Sequence, residues 1–209
     1  MTTNTAITSW CLIRDNEIIY NNDLIFKNTD SSFLNFFKEA YESLNINYPK
    51  FFKMDNLCKT GFLAAEILLR DKGLKEKQTS KEIAILFSNA NSSLDTDILY
   101  QESTKTIASP ALFVYTLPNV LVGELCIRHQ IKGENACFIF DNFDPDFHTN
   151  YIEMLLNTDK AKACISGWAD FFNGKFEAFF YLVEGNNNTL PMHTSQNVLK
   201  LYKGYGTTN

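Results

Sequence analysis

Three short, nearly unbroken apolar runs constrain this chain more than any other feature. Glu82 to Ser88, Cys137 to Phe140 and Ala161 to Ser166 are too short for core helices, and they lack the alternation of strands with one wet face. Each reads as a strand buried on both sides, as in sheets whose crossover helices cover both faces. Helically spaced apolar segments stand between and before them. The clearest is Met54, Leu57, Cys58, Gly61, Phe62, Ala65, Ile67, Leu68 and Leu69, stopped by Asp71, Lys72 and Gly73; Val120 to His129, ended at Gly133, and Tyr151 to Leu156 follow. This alternation predicts an α/β fold: a mostly parallel mixed sheet with helices on both faces.

The flanks add detail. Charged and Asn-rich breaks at Arg14 to Glu17 and Asn21 to Asp23 separate short strands, Ile7 to Ile13 and Ile18 to Tyr20. Ser31 or Ser32 caps a helix whose Phe33, Phe36, Phe37, Ala40 and Tyr41 share one face. A polar helix spans Asp95 to Lys105, and Pro110 and Pro118 bracket a loop. Near the end, Asn173 and Gly174 sit between two apolar runs as a two-residue hairpin turn would, so one strand should be antiparallel. With 209 residues and 45% hydrophobic content, one compact body is expected over residues 1–185, followed by a loop and short terminal element over 186–209.

Charge and motifs exclude several functions. Nineteen basic against twenty-four acidic residues leave no surplus for nucleic acid or an anionic membrane surface. The N-terminus lacks a basic segment and a long apolar one, so the expected location is cytoplasmic. The glycosylation-type triplets at Asn91 and Asn187 are then without consequence. No phosphate loop, dinucleotide fingerprint, zinc-protease helix or serine-hydrolase elbow occurs. The five cysteines, Cys11, Cys58, Cys126, Cys137 and Cys164, are widely spaced and mostly in apolar surroundings, as reduced core residues are. The eighteen Phe fall mostly at core positions, and His129 suits a helix C-terminus.

The densest polar group is Asp141 to His148, between a strand and a helix, where α/β proteins often keep their sites. Asp144, Asp146 and His148 are its candidate catalytic groups. The alternative is that Asp144 or Asp146 caps the following helix with Pro145 in its first turn. The spacing defines no coordination geometry, so no metal is assigned, and nothing points to a cofactor.

Several segments resemble the N-terminal half of β-ketoacyl-acyl carrier protein synthases. Lys53 to Leu74 is similar to the family's helix that opens on Met-Asp and closes on Asp-x-Gly-Leu, and Ile83 to Ser88 to the strand after it. Ser109-Pro110, Thr116 to Asn119 and Gly123-Glu124 resemble an S-P, T-L-P-N and G-x-x-A-I series. Ile131 to Asn135 resembles an I-K-G-P-N turn, and Ala161 to Gly167 an A-D-x-x-x-A-G strand. The resemblance implies a thiolase-like half domain. It also places Asn142 where the family has its nucleophilic cysteine, with Phe143, Asp144, Pro145 and Asp146 replacing small residues. An amide cannot take an acyl group from a thioester as a thiolate does, and Cys137, five residues earlier in a strand, is a poor substitute. The family's two catalytic histidines belong to a second half that this chain lacks.

The resemblance therefore implies a noncatalytic ketosynthase-like subunit, acting by association in fatty acid, polyketide or aryl-polyene-type biosynthesis. Its partner would be a ketosynthase-like chain or a second copy, meeting an apolar face formed by Phe33, Phe36 and Phe37 or by Tyr151 to Leu156. An acyl carrier protein is a further candidate partner, docking on Arg70, Lys72, Lys75, Lys77 and Lys81. The alternatives are a thioester transferase or hydrolase using the Asp141 to His148 cluster, and a small-molecule or acyl-binding module.

Overall fold

The computed structural model describes residues 5–29, 32–70, 72–185 and 190–204, and of Lys75 the backbone alone. Ser31, Asp71 and the Asn187 triplet lie outside the described residues. Seven strands form one sheet: β1 (Thr5–Arg14), β2 (Glu17–Tyr20), β3 (Asp23–Lys27), β4 (Ile83–Asn89), β5 (Asn135–Ile139), β6 (Ala163–Phe172) and β7 (Lys175–Gly185), in the order β3-β2-β1-β7-β6-β4-β5. Parallel pairs join β4 to β5 and to β6; the other four pairings are antiparallel. Following directions across the sheet, β1, β3, β4, β5 and β6 run one way and β7 and β2 the other. The expected reversed strand is β7, and β2 is a second one.

The reversals occur at three two-residue turns with both φ angles positive: Asp15-Asn16, Asn21-Asn22 and Asn173-Gly174. These are the conformations that match strand twist and that Asn, Asp and Gly tolerate. The Asn21-Asn22 turn leads into β3, a strand that the sequence reading missed because Asp23 and Lys27 hide its short apolar middle.

Alternation along the strands divides the core. Cys11, Ile13, Ile85, Phe87, Ile165, Phe180 and Leu182 face one layer, made by α1 (Phe33–Ser43), α2 (Asn56–Leu68) and α6 (Val120–His129). Trp10, Leu12, Leu86, Trp168, Phe179, Tyr181 and Val183 face the other, made by α7 (Pro145–Asn157) and α8 (Ser195–Lys203). Helices therefore cover both faces. Ser32 caps α1, its hydroxyl accepting from the Asn35 amide, and Asp55 caps α2 by accepting from the Cys58 amide. Nearly every side of α2 is buried, as its all-round apolar sequence requires. Its Gly61 meets Leu121 of α6, so that small residue serves a helix–helix contact.

Short helices α3 (Leu74–Lys77) and α5 (Pro110–Val114) occupy segments read as turn and loop; α4 (Leu94–Thr104) is the expected polar helix. The turn before β5 is closed by Gly133. A Cβ there would lie 2.3 Å from the Ile83 carbonyl oxygen and 2.7 Å from that of Lys81, both backbone atoms with no rotamer to escape into. Gly133→Ala should cost about 1–3 kcal/mol, read as a lower urea midpoint with an unchanged slope.

Candidate functional site

The connection from β4 to β5 runs through α6 on one face of the sheet, and that from β5 to β6 through α7 on the other. Adjacent strands whose exits diverge leave a crevice beyond their carboxyl ends, the usual ligand position in open α/β sheets. Asp141 to His148 begins there, but its side chains separate. Asp141, Asn142 and Asp146 are exposed. Asp144 is the N-cap of α7: its Oδ1 accepts the Phe147 amide at 2.9 Å, and Pro145 fills the first turn. The helix thus begins six residues before the apolar segment from which it was inferred. His148, one turn in, points away from these carboxylates into the sheet and is fully buried. Among the described residues no three His, Cys, Asp or Glu side chains are grouped to hold a metal.

His148 instead joins two serines that sequence reasoning missed. The Ser88 hydroxyl lies 2.7 Å from Nε2 and the Ser166 hydroxyl 2.7 Å from Nδ1, all three residues inaccessible to solvent. A neutral imidazole has one donor and one acceptor nitrogen, so one serine donates and the other accepts. Burial lowers the His148 pKa to about 3, with a smaller contribution from His193. The Tyr181 hydroxyl faces Ser166 without a hydrogen-bond partner among the described residues, and burial pushes its phenol up. The available signal was two serines closing otherwise apolar strands, Ser88 and Ser166, flanking a lone helical histidine. Sealed from solvent, this group fastens α7 to the sheet and offers no substrate access.

Cys137 is half-buried on β5, and burial raises its thiol to about 11, away from the thiolate form that nucleophilic attack needs. No thiol stands at Asn142.

A second, open crevice of about 610 Å³ lies at the same end of the sheet, between the β1–β2 and β6–β7 turns and the loop after β4, away from Asp141 to His148. Its walls are held by two carboxylates. Asp170 accepts the Asn91 amide at 2.9 Å, the Ala90 amide at 3.2 Å and the Asn91 side chain at 2.5 Å. Glu177 accepts Trp168 Nε1 at 2.7 Å, the Tyr202 hydroxyl at 2.8 Å and both Arg14 Nε and Nη2 at 3.0–3.1 Å.

Three of the basic residues expected to dock a carrier have other contacts. Arg70 donates to the Leu44 carbonyl, Lys72 donates to the Thr8 carbonyl beside the Tyr20 ring, and Lys77 lies 3.8 Å from Glu184. The apolar faces inferred from sequence are also occupied: Phe36 and Phe37 are core, Phe33 stacks edge-on with Phe171, and Ile152, Leu155 and Leu156 are buried under α7.

No protein-family model and no curated protein matches the sequence. Solved structures do. The ishigamide ketosynthase/chain length factor superposes with a TM-score of 0.64 at 16% identity, over 87% of this chain and 62% of that one. This chain has the thiolase-like fold of ketosynthases. A ketosynthase solved with its chain length factor from Xenorhabdus doucetiae gives a TM-score of 0.54 at 13% identity, over 88% and 80% of the two chains. A β-ketoacyl synthase from Burkholderia phymatum gives 0.59 at 8% identity, over 88% and 59%. The chain thus spans about three-fifths of the length of two of these ketosynthase-fold proteins. The ketosynthase fold accounts for the ordered series of sequence resemblances, from the α2 segment to β6. None of the described helices is long and apolar enough to cross a membrane.

Proposed function

We propose that this chain is a noncatalytic ketosynthase-like subunit that acts by association with a ketosynthase-type partner in polyketide, fatty acid or aryl-polyene-type biosynthesis. In two of the solved neighbours a ketosynthase is paired with a chain length factor, which supports a partner of this kind. The observation that carries the reading is a concentrated apolar surface on α4, α5 and their connection. Half of the exposed large apolar side chains among the described residues fall between positions 94 and 117, including Ile98, Leu99, Ile107, Phe113, Val114 and Leu117. They form one structure: Ser93 Oγ donates to the Thr116 carbonyl at 2.8 Å, the Ser109 amide to Ser103 Oγ at 3.1 Å, and Tyr100 contacts Phe113 at 5.4 Å between ring centres. The Asp55 carboxylate anchors the patch, accepting Thr96 Oγ1 at 2.7 Å, and buried Glu124 accepts the Tyr115 hydroxyl at 3.2 Å. A fixed apolar surface of this sort fits a protein interface better than solvent.

The test is a pull-down of tagged protein from its host with wild type and an Ile98→Asp/Phe113→Asp variant. The wild type should recover a ketosynthase-type chain in stoichiometric amount. The variant, altered only at exposed positions, should keep its melting temperature within a few degrees and lose at least tenfold of the recovered partner. Recovery of the same partner by both proteins, or of no partner by the wild type, rejects the reading. The crevice beside Asp170 and Glu177 favours a second reading, a small-molecule-binding module, for which native mass spectrometry should show a retained ligand.

A further inference from the structure

We propose that residues 190–204 form an acid-released strap, seated on the sheet through His193, whose detachment uncovers the apolar face of β1 and β7. The inference is independent of the accessory reading. The strap enters beside β1: the Ile7 amide donates to the Pro191 carbonyl at 2.9 Å, Met192 bridges Ala6, and the His193 amide donates to the Thr5 carbonyl at 3.0 Å. Thr194 then caps α8, which buries Val198 and Leu201 in the cluster that contains Trp10, Phe179, Tyr181 and Val183. The far end is latched separately, by Tyr202 through its hydroxyl to Glu177 and through its carbonyl to Arg14, whose guanidinium also lies 4.6 Å from the Tyr202 ring centre.

His193 is the weak point of this attachment. Its side chain is 3% exposed, yet neither ring nitrogen has a hydrogen-bond partner among the described residues. Among the described residues the titratable groups facing it are Tyr181 from β7, 5.8 Å away between ring centres, and His148 from α7; β1 presents the Thr5 backbone, and no described carboxylate acts on either imidazole. A neutral ring tolerates this site, but a cation there would have no counter-charge and would face a second imidazole. Burial accordingly lowers the His193 pKa to about 4. Protonation requires the ring to leave, and the chain from Pro191 to Val198 leaves with it while the Tyr202 latch holds.

The experiment follows Trp fluorescence and binding of a dye for exposed apolar surface from pH 7.5 to 4, with far-UV circular dichroism as a monitor of the whole fold. Trp10 and Trp168 both lie on the covered face. Wild type should gain dye binding before its far-UV signal changes. His193→Phe, which cannot be protonated, should lose that step or shift its midpoint down by at least one pH unit. An unchanged step in His193→Phe, or a wild type whose dye binding rises only with loss of the far-UV signal, overturns the proposal. If His193→Phe does not fold, NMR of the assigned His193 ring in the wild type decides: titration below pH 5 that coincides with the gain of dye binding supports the strap, and titration near 6.5 or apart from that gain overturns it.

Discussion

Replacing His148 with alanine should destabilise the protein by about 3–5 kcal/mol, seen as a large fall in the chemical denaturation midpoint. Two costs combine. The imidazole fills space between α7 and the sheet, with Phe143 edge-on at 5.0 Å between ring centres, so its removal leaves a cavity. It also leaves the Ser88 hydroxyl buried without its partner, a penalty of about 1–3 kcal/mol if no water enters, and leaves Ser166 with only the Tyr181 hydroxyl beside it. The two costs can be separated by removing all three polar groups together. The triple variant Ser88→Ala/Ser166→Ala/His148→Leu should recover most of the lost stability, since matched apolar replacements leave no unsatisfied group. If the triple variant is no more stable than His148→Ala, the polar network is not the source of the effect.

Acidification should weaken the protein well before its carboxylates dominate. Histidines in an unfolded chain bind protons near pH 6.5, but in the folded protein burial holds His148 to about 3 and His193 to about 4. Between these limits the unfolded state binds more protons. The stability these rings provide is therefore complete above about pH 7 and is lost as the pH falls through 6.5 towards 4 and then 3. Two such groups together should remove roughly 3–5 kcal/mol by pH 4.5, measured as the fall in unfolding free energy by urea titration at each pH. Below that range Glu66 adds to the loss. Its burial acts to raise its pKa, but hydrogen bonds and charges from His129 and Arg128 outweigh burial and hold it to about 2. A flat stability profile between pH 7 and 5 would contradict the buried, neutral state of both histidines.

The first effect arises where the residues of one linear motif point in different directions. From Asp141 to His148 the sequence offers carboxylates and an imidazole at neighbouring positions, and adjacency suggested a shared site. The first turn of α7 separates them: Asp144 turns back onto the Phe147 amide, Asp146 faces water, and His148 lies on the buried side. Ser88 and Ser166 are 60 and 18 positions from His148 in the chain, and only the parallel pairing of β4 with β6 brings both beneath it. No local pattern records such a meeting.

The exposed surface shows the same division. Phe36 and Phe37 and the apolar residues of α7 are interchangeable with surface anchors in sequence, because a helical stripe reads alike whether a sheet or a partner covers it. Coverage is a tertiary fact: this sheet covers both stripes, while α4 and the end of α5 are anchored on Asp55 at the start of α2 and on Glu124 of α6 and leave Ile98 and Phe113 exposed.

Local grammar was legible in the sequence: the buried strands β4 and β6, the helices around Phe62 and Leu125, the Asn173-Gly174 reversal, and the ordered resemblance to the ketosynthase fold. These depend on side-chain period, turn chemistry and caps, which act over a few residues. β5, expected to be buried on both sides, is instead the edge strand of the sheet, with Ile139 47% exposed. Tertiary structure alone decided the edge position of β5, the closure of the far face by α8, the sealing of His148 between two serines and the position of the apolar patch. Each of these depends on which distant surfaces meet, and that is settled by packing the whole chain at once.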